Sequence, residues 1–108
     1  SIPRGDSYRR GFVMKYGDVP VTTAFDEIYF TVKKSYADKT YVIQKRQSTG
    51  GIVSDGDGHY TLYIEPEDTN RLDFAEYDCD FEFIFGEEKK TFVGKMKLTK
   101  EVTYASNE

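Results

Sequence analysis

From Glu76 to Leu98 the chain alternates apolar and charged residues with a period of two. Cys79, Phe81, Phe83 and Phe85 fall on one parity, while Glu76, Asp78, Asp80 and Glu82 fall on the other. After Gly86-Glu87-Glu88-Lys89 the apolar parity resumes at Phe92, Gly94, Met96 and Leu98. Only extended backbone sends successive side chains to opposite sides, so this stretch reads as two amphipathic strands joined in a hairpin. Taking residues 86–89 as the loop sets Phe85 opposite Lys90, Asp80 opposite Lys95 and Asp78 opposite Lys97. Both apolar sets then face inward, and opposite charges meet outside, worth about 0.2–1 kcal/mol per pair.

The same period governs the rest. Ile28, Phe30 and Val32 alternate with Tyr29, Thr31 and Lys33; Tyr60, Leu62 and Ile64 alternate with Thr61, Tyr63 and Glu65. Phe12, Met14 and Tyr16 form a shorter run ended by Gly17-Asp18, and Tyr41 to Lys45 forms another. Asp55-Gly56-Asp57-Gly58 reads as a hairpin turn. Pro66 to Asn70 offers one helical turn, with proline at its opening and acids near its start. No segment of ten residues shows a 3.6 period, and 9 Tyr and 8 Phe with no Trp suit a pleated sheet. The 108 residues are expected to form one all-β domain spanning 1–108. The lone Cys79 excludes an internal disulfide. No apolar run is long enough for a membrane helix, and the opening residues lack the apolar stretch of a secretion signal. Secretion by its own signal is therefore not expected.

Charge is unevenly spread. Asp55 to Glu88 holds twelve acidic residues against Arg71 alone, a net of −11, while the remainder holds seven acids and fourteen bases. Side-by-side segments would neutralise each other; an unpaired acidic segment would mark a partner surface. Direct binding of nucleic acid is disfavoured by the overall −4. The ladder Glu76, Asp78, Asp80 and Glu82, with Glu87 and Glu88 at the hairpin tip, is the sharpest candidate surface. Its carboxylates would repeat every ~6.7 Å, a spacing able to imitate a nucleic-acid backbone. Pairing with the neighbouring lysines is the competing reading. Tyr29 and Tyr63 are candidate anchors for a protein partner, as is the strand edge from Tyr41 to Arg46.

Catalytic chemistry is not indicated. His59 is the sole histidine and sits beside a turn, and no nucleophile-elbow, zinc or paired-cysteine motif occurs. Cys79 shares its parity with phenylalanines, which suits a core residue of raised pKa better than a nucleophile. A calcium loop starting at Asp55 would need glycine at Tyr60 and glutamate at Pro66, and so fails. Arg4-Gly5-Asp6 matches an adhesion tripeptide, which three residues alone do not establish. No enzyme activity, cofactor or metal is expected.

Asp73-x-Ala75-x-Tyr77-x-Cys79 resembles the turn into strand F of immunoglobulin domains, where a tyrosine hydroxyl bonds back to the corner backbone. The resemblance implies an immunoglobulin-like antiparallel β-sandwich of about seven strands, without the disulfide or the strand-C tryptophan. Tyr77 would be the corner residue and Cys79 an inward residue of that strand. In addition, Ile2-Pro3-Arg4-Gly5-Asp6-Ser7, Ile28 to Lys34, Val42 to Lys45, Asp57 to Tyr60, Pro66 to Thr69, Tyr77-Asp78 and Val102-Thr103 succeed one another in the order seen in a family of small phage and prophage proteins of Gram-positive bacteria. That family is similar to the N-terminal immunoglobulin-like domain of phage baseplate upper proteins, which attach to other virion proteins. The resemblance implies a tail or baseplate accessory, since no receptor-binding extension follows Glu108, located in the virion or the host bacterial cytoplasm. Its partners would be phage virion proteins, and self-association stays open. The alternative is a phage-encoded inhibitor of a host defence nuclease of the CRISPR type, using the acidic ladder.

Overall fold

Nearly every alternating run forms a strand in the structure, a computed structural model that describes residues 2–3, 5, 7–73 and 75–99. In chain order the elements are β1 (Ile2–Pro3), β2 (Tyr8–Val13), β3 (Lys15–Tyr16), β4 (Val19–Pro20), β5 (Glu27–Lys33), β6 (Ile43–Arg46), β7 (Ile52–Gly56), β8 (His59–Ile64), α1 (Pro66–Thr69), β9 (Glu76–Phe85) and β10 (Glu88–Thr99). Arg4, Asp6, Val102 and Thr103, which belong to the sequence motifs, lie outside the described residues.

Seven strands build two antiparallel sheets, one ordered β10-β9-β5-β6 and the other β2-β8-β7. Short β1 runs parallel to the end of β10, at Leu98 and Thr99. Strands β3 and β4 make a small separate hairpin. These orders are the G-F-C-C′ and B-E-D sheets of the immunoglobulin scheme. The expected sandwich of about seven strands is thus observed, with Cys79 as a free thiol. Its corner is observed as well: the Tyr77 hydroxyl donates to the Asp73 carbonyl at 2.9 Å. That bond lets a tyrosine with its ring in the core keep its hydroxyl satisfied.

The inward parities of the two sheets meet in one core. Ile28, Phe30 and Val32 from β5, Tyr60, Leu62 and Ile64 from β8, and Tyr77 and Phe83 from β9 are buried there. Phe12 binds the layers together, its ring centroid 5.0 Å from that of Phe81 and 6.1 Å from that of Phe83. At the β7–β8 turn, Asp57 and Gly58 both take positive φ, 54° and 81°. Two such residues in succession give the primed turn that suits strand twist. Glycine is also forced at 58 by space, because a Cβ would lie 2.8 Å from the Val21 carbonyl oxygen. The helical turn α1 opens on Pro66, as read from the sequence, and Asp68 accepts the Glu65 N–H at 2.7 Å.

The β9–β10 register differs from the expected one by two residues. Phe85 stands opposite Glu88 rather than Lys90, so the loop is only Gly86-Glu87. Gly86 takes φ +60° and thereby makes the two-residue turn accessible. Its N–H is held at 2.6 Å by Asp26. A shift of two preserves parity, so the apolar set still faces inward, but the charge pairs change. Lys95 stands opposite Asp78, and Lys97 opposite Glu76.

Candidate functional site

The acidic ladder lies where the alternation puts it, on the outer face of the four-stranded sheet, yet its members differ in availability. Asp78 is buried, at 8% exposure. It accepts hydrogen bonds from the Lys95 ammonium and, at 2.9 Å, from the Tyr36 backbone N–H. The Lys95 hydrogen bond is the main reason its carboxyl is held below the usual aspartate value. Glu82 meets Lys89 at 3.2 Å. Asp80, next to Glu82 on the same face, is pushed up, first by burial and then by that neighbouring carboxylate. Glu76, Glu87 and Glu88 are exposed, the last two at the hairpin tip. The ladder is therefore a charge-interleaved face with Asp78 built into the sheet.

The two candidate tyrosines are not brought together. Tyr29 lies on the outer face of β5, opposite Glu82, with the Arg46 guanidinium 5.2 Å from its ring centre. Tyr63 lies on the outer face of the other sheet, under Arg9 at the same distance. Both are half-buried, so each ring is packed by a cation of its own surface. The edge at β6 is partly occupied too. Arg71 donates to the Val42 carbonyl at 2.6 Å, Gly51 to the Arg46 carbonyl at 3.0 Å, and Lys45 pairs with Asp68 at 2.6 Å.

Two aromatic residues of inward parity are not in the core. Phe85 is 49% exposed and Phe92 is 52% exposed. Phe85 is open because it ends β9 beside the turn, and Phe92 because the sheets differ in width. Four strands face three, and no described strand lies beside β2 to cover β10. The result is a cleft of about 590 Å³ between the β2 and β10 edges, floored by Phe12, Phe81, Phe83, Phe92 and Met96. Cys79 lines it, half-buried, its thiol raised by burial first and by the charges of Asp80 and Asp78 next. Arg10, Lys15 and Lys95 stand along its walls, with no carboxylate in the lining.

Sequence reading missed this cleft. The available signal was Arg10, which shares the inward parity of Tyr8 and Phe12 and pairs across the strands with buried Leu62. A guanidinium at an inward position marks a place where the inside is open to water.

Comparison with known proteins shows the fold alone. No family model matches the sequence, and no curated protein matches it. Among solved structures, the endo-β-1,4-mannanase from Thermotoga petrophila superposes with a TM-score of 0.58 at 15% identity, over 93% of this chain. The chain spans only 18% of the length of that protein.

Proposed function

We propose that this chain is a non-enzymatic protein-interaction module, an accessory component of a phage tail or baseplate. The observation that supports an interaction module best is the edge of β2 and the stretch of β10 before Leu98, which have no strand beside them among the described residues and flank one apolar opening. Such edges recruit partners by backbone hydrogen bonding, and the apolar opening supplies area to bury. The phage setting rests on the ordered sequence motifs that resemble the baseplate-associated family. The rival reading, an inhibitor of a host defence nuclease, asks for a ladder free to meet a basic groove. Asp78 and Glu82 are engaged with lysines instead, so the edges carry the module reading further.

Mass spectrometry of purified particles from an induced lysogen carrying this gene tests it. A stoichiometric copy number in the particle is the expected result. Clear expression in the cell with absence from particles overturns the virion role. A nuclease-cleavage assay, run with a variant in which Asp78, Asp80, Glu82, Glu87 and Glu88 become amides, would then decide the rival.

A further inference from the structure

We infer that the cleft between β2 and β10 is a binding site for a single-chain fatty acid, its hydrocarbon tail laid between the sheets and its carboxylate held at Arg10. The inference goes beyond the interaction-module reading and does not depend on it. The ligand would lie between the two sheets, whereas the backbone groups of the open edges point along the planes of their sheets.

Three observations converge. The first is space of a fitting shape. Gly94 stands between Phe92 and Met96 on the inward parity of β10 and contributes no side chain. A Cβ at that position would have only the Cys79 Sγ within 4 Å, at 3.9 Å. Phe92 to Met96 covers about 13 Å of strand, the scale of a medium-length acyl chain. The volume of about 590 Å³ is that of sites which enclose small ligands.

The second is the chemistry of the floor, which selects hydrocarbon. Phenylalanine and methionine side chains make it, and none of them offers a strong hydrogen bond. A sugar, a nucleotide or a peptide backbone seated there would give up hydrogen bonds to water without replacement, a cost that an acyl chain does not meet.

Charge at the mouth is the third, and it selects the head group. The chain is acidic overall, yet no carboxylate lines the cleft. Lys95 is already paired with Asp78, whereas Arg10 and Lys15 have no ion-pair partner among the described residues. Arg10 shares the inward parity of Phe12, so a guanidinium adjoins the apolar floor on one strand. A guanidinium can take a carboxylate in two parallel hydrogen bonds. Lys15 adds to the positive potential there.

The test uses the whole chain and decanoate below its micelle concentration, read by calorimetric titration, with decanol and decyltrimethylammonium as neutral and cationic controls. Decanoate should bind saturably and at least tenfold more tightly than decanol, and the cation should not bind. Bound decanoate should also slow alkylation of Cys79 by iodoacetamide, which places it in this cleft because the chain has one cysteine. Arg10→Gln should reduce decanoate to the level of decanol with the melting temperature unchanged. Gly94→Val fills the gap between Phe92 and Met96 and should abolish binding of both without lowering the melting temperature. Should the valine variant fail to fold, Arg10→Gln and the protection of Cys79 are independent readouts. Absence of saturable decanoate binding overturns the inference, as does equal binding of the cation. Parent-level binding by Arg10→Gln or by Gly94→Val overturns it too, and so does alkylation of Cys79 that decanoate does not slow. Cosedimentation with phosphatidylglycerol vesicles without binding of monomeric decanoate also overturns it, by making this face a membrane contact.

Discussion

Strands β9 and β10 carry the same alternation and are joined by a two-residue turn, yet their inward aromatic residues end up differently. Phe83 on β9 is 3% exposed, whereas Phe92 on β10 is 52% exposed, with its ring edge-on to Phe83 at 5.8 Å. Phe83 also meets Phe12, Phe25 and Phe81. Phe92 has no strand opposite. Farther along β10 Met96 and Leu98 are buried again, and β1 pairs with the strand at Leu98. Parity therefore chooses the side on which a residue falls, and the element across the sandwich decides whether that side is dry. An edge strand can carry a core residue that waits for its other half.

The comparison can be broken most directly by truncating each ring. Phe83→Ala should cost about 3–5 kcal/mol, because a buried aromatic leaves a cavity that its neighbours fill poorly. Phe92→Ala should cost about 1 kcal/mol or less, since much of the ring already faces water. Denaturant unfolding of both variants measures the difference, and equal losses would show that the cleft is closed in solution. Next in size is Tyr77→Phe, which keeps the buried ring and removes only the bond to Asp73. A loss of about 1–3 kcal/mol is expected from leaving that carbonyl without its partner.

How much was legible in the sequence follows from which forces are local. Alternation and turn chemistry are local, so most of the strands, the Asp57-Gly58 turn, the Pro66 helical turn and the Tyr77 corner could be read, whereas β7, with Asp55 and Gly56 read as turn, was not. The hairpin register was missed by two because the choice between a two- and a four-residue loop depends on Gly86 and on Asp26, which is sixty residues away. Since the shift was even, the inward face survived and only the identity of the charge pairs was lost. The opening beside β2 could not be read, because it is set by how many strands stand opposite one another. Arg10 recorded that opening, but one cation in a short alternating run is a weak mark until its strand is placed.

Two carboxylates on one strand sharpen the contrast between built-in and merely placed charge. Asp78 is held low, chiefly by the Lys95 hydrogen bond, so its ionised form favours folding. That contribution is present above the ordinary aspartate value and is lost as pH falls through the lowered one. Asp78→Asn should therefore lower the melting temperature at pH 7, with the deficit shrinking as pH falls below the ordinary aspartate value of about 3.9. Asp80 is shifted the other way, by burial first and then by Glu82. Its ionised form opposes folding, so Asp80→Asn should leave stability at pH 7 unchanged or slightly raised. Thermal melts at pH 7 and pH 3 separate the two signs. Identical behaviour of the two variants would mean that the ladder is a uniform solvated face.

The gentlest probe of the open side is Cys79, whose thiol lines the same cleft as Phe92. Burial raises its pKa first, and the nearby carboxylates of Asp80 and Asp78 add to that. Only the thiolate attacks iodoacetamide. At pH 8.5 a free cysteine is about half ionised, so Cys79 should alkylate more slowly than a free thiol and keep accelerating as pH rises further. Access and ionisation are then separable. Phe92→Ala should speed alkylation by clearing the mouth. Phe83→Ala is a poor substitute here because it unsettles the whole core. A Cys79 rate that matches the free thiol at every pH would mean that the cleft floor is as wet as the surface. Phe92 and Phe83 would then differ by less than their exposures imply.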